Sequence, residues 1–224
     1  MHIEPGVVVG AKMALGYATA AGVFLYAAKH SLKTIRKDGL AAFGVRALLS
    51  SLLVFCFFEV LPHYPVGVSE VHFILGSTLF LIFGAAPAAI GLAMGLLAQG
   101  GLLAPADLPQ YGMNVTSLLV PLFVIDQLAR RIIPADTAYK DVSYGQALKL
   151  STAFQAGVVA WVGFWATYGQ GFGAENLAAV AGFSAAYMLV ILVEPLIDLA
   201  VLAAAKSLHR LENSLLFHSR LFQA

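Results

Sequence analysis

The chain has 224 residues, 60% of them hydrophobic and 11% charged, with a net charge of +1 and a mean hydropathy of +0.83. A soluble domain carries about 25% charged residues, so this composition excludes a soluble fold and points to a membrane protein. The net charge says nothing about partners, because what matters is where the charges sit, and the single cysteine, Cys56, excludes an internal disulfide and is expected to pack as a small hydrophobe.

A bilayer core takes about 20 apolar residues of helix. The pattern predicts an all-α membrane protein of about seven transmembrane helices. These are residues 7–28, 40–60, a short one at 72–83, 87–103, 115–133, 145–168 and 177–207. The short segment must tilt, be shielded by protein or pair with the loop before it. Gly84-Ala85-Ala86-Pro87 separates it from the next helix, since proline is tolerated in a first helical turn. Helix contacts are expected at the small-residue pairs Gly10/Ala14, Ala18/Gly22 and Gly91/Gly95, which let backbones approach in lipid. No linker or charge block divides residues 1–224, which read as one polytopic domain.

Lys and Arg favour cytoplasmic loops, and here they partition cleanly. Lys29, Lys33, Arg36, Lys37 and Arg46 flank the first connection; Arg130, Arg131, Lys140 and Lys149 flank the fifth; Lys206, Arg210 and Arg220 lie in the tail. Connections 61–71, 104–114 and 169–176 carry none. The amino terminus is therefore expected outside and the carboxyl terminus in the cytoplasm of a cell (inner) membrane, with Lys12 snorkelling to the outer surface. The first helix lacks a basic n-region and is too long for a signal peptide, so its amino terminus is expected to persist.

Met1-His2-Ile3 then acquires chemistry. A free α-amine, the His2 amide nitrogen and the His2 imidazole close five- and six-membered chelate rings, and an all-nitrogen tetragonal set suits Ni(II) or Cu(II), with Co(II) also fitting. A chance histidine at position two is the alternative. On the same side, residues 59–72 hold Glu59, His63, Glu70 and His72, so one imidazole from this loop would complete the donor set. His72 is preferred to His63 because it is expected to open the short helix, with Ser69, Glu70 or Asn114 orienting it. His30 falls inside and His209 and His218 in the tail.

Within the spans, Asp126 can pair with Arg130 one turn on. Glu194, followed by Pro195, and Asp198 lie deep in the last span. They are intramembrane ionisable groups for which a proton or ion path, a kink capped by a protonated acid, or a partner contact all remain open. No HExxH, nucleophile-elbow or Walker A pattern is present, so catalytic residues are expected to be absent.

These features resemble the CbiM/NikM group, the metal-specific membrane subunits of nickel/cobalt energy-coupling-factor transporters. The resemblance rests on Met1-His2-Ile3 with Glu4-Pro5-Gly6, on Ser69-Glu70-Val71-His72 before a short helix, and on Tyr111-Gly112-Met113-Asn114-Val115-Thr116-Ser117. It covers about the first 130 residues well and the rest only in helix count and topology. Ser117 stands where the family usually has a second Asn, and fewer glycines follow His72. The resemblance implies metal ligation by Met1, His2 and His72, with Asn114 in support. It also implies a transmembrane coupling subunit, cytoplasmic ATPases and a small accessory membrane subunit as partners. No cofactor is expected beyond the transported Ni2+ or Co2+, and no nucleic acid. Two rival readings are a stand-alone proton-coupled metal permease using Glu194 and Asp198, and an intramembrane metalloenzyme using His63, His72 and Glu59 or Glu70.

Overall fold

The computed structural model describes residues 3–207 and 214–223, so Met1, His2 and His209 lie outside the described residues. After a 3-10 turn at Gly10–Lys12, the elements run α1 (Met13–Asp38), α2 (Leu40–Glu59), β1 (Tyr64–Val66), β2 (Ser69–Val71), α3 (Gly76–Phe83), α4 (Ala85–Leu102), α5 (Tyr111–Ile132), α6 (Tyr144–Gln170), α7 (Ala174–Met188) and α8 (Glu194–Ser207). Among the described residues five helical stretches are long and apolar enough to cross a membrane: Leu40–Glu59, Ala85–Leu102, Pro105–Ile132, Tyr144–Gln170 and Ala174–Ser207. The protein is a multi-pass membrane protein. α1 matches them in length, with 26 residues, but is less apolar.

Some expectations change. The last predicted span is two helices, because a 3-10 turn at Leu189–Leu192 interrupts it before α8. Pro195, second in α8, has no N–H to donate to the preceding turn and its ring crowds the carbonyl one turn back, so the ladder restarts there. Residues 61–71 are not a plain loop but contain a hairpin, and α3 begins at Gly76, leaving His72 in extended chain before it.

α3 is the axis of the bundle: all eight of its residues are buried. Gly84, at φ 83°, turns the chain sharply into α4, a conformation that side chains with a Cβ resist. α2 and α4 pack closely because Gly91 and Gly95 present no side chain to Ser50 and Val54, as the Gly91/Gly95 pair predicted. The other two predicted pairs are on the wrong face. Gly10, Ala14, Ala18 and Gly22 are exposed, while Gly16, Ala20 and Ala27 turn inward, Gly16 against Met113.

Charged groups take specific partners. Lys12 donates to the carbonyls of Tyr168 and Gly169 at 3.0 and 2.9 Å, which ties α1 to the end of α6. Arg130 pairs with Asp126 at 2.9 Å, as the spacing predicted. Arg46 is no loop-flanking cation but is buried, held by Asp38 at 2.5 Å and by the Ala42 carbonyl. Cys56 is on the exposed face of α2 rather than packed inside.

Candidate metal centre

The hairpin is built by a two-residue turn that one glycine makes possible. Tyr64, Pro65 and Val66 pair antiparallel with Val71, Glu70 and Ser69. Gly67 opens the two-residue turn at φ 62°, the position where a tight hairpin calls for glycine. It also lies so close to the Ala179 carbonyl of α7 that a Cβ would collide with it. Pro65 is tolerated because β1 is an edge strand.

The amino-terminal segment adds to the other edge of β2. Ile3 forms an antiparallel bridge with Ser69, and the Glu4 amide donates to the Val68 carbonyl at 3.2 Å. The Ile3 amide donates to Asn114 Oδ1 at 2.9 Å, from the first turn of α5. Ile3, Ser69, Asn114 and His72 are all buried, so this clamp sits in a dry environment where leaving a polar group unpaired is costly.

His72 follows β2 directly. Residues two apart on extended chain share a face, and Glu70 Oε2 accordingly meets His72 Nε2 at 2.9 Å. Phe58 closes edge-on at 5.0 Å and His63 stacks over the ring at 4.9 Å, nearly parallel at 15°. The imidazole is thus held by a carboxylate and by two rings. Glu70 orients it, Ser69 pairs through the backbone bridge with Ile3, and Asn114 holds Ile3 rather than His72. Sequence reasoning missed Phe58 and the Ile3 clamp, since neither residue type advertises a role.

The local charge is negative. Burial, with Glu70 and then Asp107 nearby, holds the Glu4 carboxyl above its usual range. Three carboxylates facing one region raise the local concentration of cations.

The remaining candidates lie elsewhere. Glu194 and Asp198 stand together in the first turns of α8, against α3 and α6. Among the described residues no three His, Cys, Asp or Glu side chains are grouped to hold a metal ion, so His63, His72 and Glu59 or Glu70 do not form the cluster a metalloenzyme reading requires.

The profile of the family described as "Cobalt uptake substrate-specific transmembrane region" matches residues 2–210. Two solved structures share the fold. A "Truncated Transition metal Transporter" is 20% identical, with 93% of this chain and 100% of that chain covered and a TM-score of 0.70. A "transition metal transporter" is 19% identical, with 96% and 99% covered and a TM-score of 0.66. No curated protein matches the chain.

Proposed function

The chain belongs to the CbiM family of cobalt-uptake, substrate-specific transmembrane regions, and on that footing we propose that it captures Ni2+ or Co2+ through its free amino terminus, His2 and His72. One observation carries the reading: Ile3 pairs antiparallel with Ser69. Ser69 lies three residues before His72, so the chain ahead of Ile3 starts beside the strand that leads into His72. Two residues reach at most about 7 Å, which makes the Asn114 clamp on Ile3 the device that decides where the terminal donors can go.

The donor set is the α-amine of Met1, the His2 amide nitrogen, the His2 imidazole and the His72 imidazole, four nitrogens in a tetragonal arrangement. Glu70 fixes the tautomer of His72. With Nε2–H directed at the carboxylate, the neutral ring carries its lone pair on Nδ1. His63 shields the ring from the open side, and Glu4, Glu70 and Asp107 draw the cation in. Amide ligation displaces a proton and the imidazoles must be neutral, so affinity weakens as pH falls.

The amino terminus faces outward and the carboxyl terminus the cytoplasm, following the Lys and Arg distribution. The protein is a capture subunit rather than an enzyme. It works with a transmembrane coupling subunit, cytoplasmic ATPases and a small accessory membrane subunit. Titration of the purified protein, its amino terminus unblocked, with Ni2+ and Co2+ tests the site. His2→Ala and His72→Ala are each expected to abolish tight binding, and unchanged affinity in either variant would refute the donor set. Uptake that survives deletion of the ATPases would refute the assembly.

A further inference from the structure

The first turns of α3 and α8 meet in the middle of the bundle around two carboxylates, Glu194 and Asp198, each fully buried. Every carboxylate oxygen receives a donor. Glu194 Oε1 accepts from the Ser77 amide at 3.2 Å, and Oε2 accepts from Ser151 Oγ at 2.5 Å and Gln155 Nε2 at 2.7 Å. Asp198 Oδ2 accepts from Ser77 Oγ at 2.7 Å and Oδ1 from Thr78 Oγ1 at 2.5 Å. Ser77 therefore bridges the pair, and all five donors are neutral. Among the described residues no Lys, Arg or His forms an ion pair with either acid; the salt bridge on α8, Lys206 to Asp141, is two turns further on. Two anions one helical turn apart repel even on an exposed helix, and in a dry interior the penalty is larger.

A second observation concerns acceptors. The Gln155 amide group spends its hydrogens on Glu194 and on the Ile74 carbonyl, and Gln155 Oε1, fully buried, has no donor among the described residues. The Tyr187 hydroxyl, also fully buried and within electrostatic range of Glu194, has no partner among the described residues either. An ionised carboxylate has no hydrogen to offer the Gln155 carbonyl oxygen, whereas a protonated carboxyl has one. A single proton thus removes one of two adjacent charges and brings a hydrogen into a cluster where Gln155 Oε1 lacks one.

We infer that Glu194 and Asp198 form a binding site for one exchangeable proton in the membrane interior, shared by the two carboxyls with Gln155 and Tyr187 around it. The groups facing it are Ser77 and Thr78 from α3, Ser151 and Gln155 from α6, and Tyr187 from the end of α7. The 3-10 turn Tyr139–Asp141 packs on α8 as well, and its Asp141 is engaged by Lys206. An all-oxygen set also suits a hard cation such as Na+, so the test must separate the two. The inference is independent of the metal-capture reading and is tested on metal-free protein.

Infrared spectra are recorded on the purified full chain carrying Glu4→Gln, which removes a carboxyl outside the spans that burial holds above its usual range. The protonated-carboxyl stretching band, identified by its downshift in D2O, is expected at neutral pH. It should disappear at high pH and be missing when Glu194→Gln and Asp198→Asn are added together. A spectrum without the band at neutral pH, or a band that persists in the triple variant, would overturn the inference. A second readout needs no variant of the pair: the thermal midpoint of the wild-type chain as pH is raised, in NaCl and in choline chloride. Equal loss of stability in both salts supports the proton, and stabilisation by Na+ alone overturns it in favour of a metal cation.

Discussion

Replacing Asn114 with Ala tests how the amino terminus is positioned. Asn114 is 1% exposed, and its Oδ1 accepts the Ile3 amide at 2.9 Å. Without that acceptor the buried N–H is unsatisfied, which costs about 1–3 kcal/mol. The segment ahead of α1 has an escape: it can peel from β2 and hydrate. The penalty is then read as a smaller population of binding-competent amino terminus, and the dissociation constant rises by the inverse of that fraction. At about 1.4 kcal/mol per tenfold, Asn114→Ala should bind Ni2+ about 5- to 150-fold more weakly. Asn114→Asp, which keeps an acceptor oxygen in place, should retain most of the affinity. Competition against a metallochromic chelator in detergent measures both. A folded Asn114→Ala protein with wild-type affinity would refute the claim that the Ile3 clamp delivers the terminal donors.

Other outcomes follow from packing and charge. Asp38→Ala should lower stability by about 3 kcal/mol because it leaves Arg46, 1% exposed, without its anion. Adding Arg46→Met should restore most of the loss, as read from thermal midpoints in detergent. Gly91→Ala should destabilise the α2–α4 contact by about 1–3 kcal/mol, since its Cβ would press on the Ser50 side chain and backbone; a neutral effect on the midpoint would contradict that packing. Burial, with Arg46 nearby, lowers the His218 pKa from its ordinary 6.5 to about 4. His218 is therefore neutral when docked and takes up a proton more readily when released, so the docking of residues 214–223 is fully stable above pH 6.5 and weakens as pH falls toward 4. The protection factor against hydrogen exchange of the His218 amide, which donates to the Ile82 carbonyl at 2.8 Å, should fall over that window in the wild type and stay constant in His218→Gln.

The spans were legible because long apolar runs have one solution in lipid, a helix with its backbone satisfied internally. The break before α8 was not, because Leu189 to Val193 is unbroken apolar sequence and only Glu194-Pro195 hints at a restart. The hairpin was hidden by Pro62 and Pro65, which read as loop; its signal was Gly67 between two valines, with Val68 turned inward and Pro65 kept to an edge. His72 was singled out as the opener of a helix, yet what fixes it is the ring of Phe58, the stack of His63 and the Glu70 carboxylate, contacts between segments that no local pattern encodes. The same holds for Asn114, whose position near the start of α5 was visible but whose partner, the Ile3 amide, was not. Small-residue spacing identified Gly91 and Gly95 and misassigned Gly10/Ala14 and Ala18/Gly22, because four-residue spacing marks a helix face without saying whether that face meets protein or lipid.

The central claim, that the amino terminus itself is a ligand, is tested most directly by adding one residue ahead of Met1 and titrating the purified protein with Ni2+. The extension leaves every side chain in place, but moves the α-amine off the five-membered ring it must close with the His2 amide nitrogen. The account predicts that high-affinity binding and the visible absorption of a four-nitrogen tetragonal Ni(II) centre are both lost while the fold is retained. Unaltered affinity and an unaltered spectrum in the extended protein would contradict it.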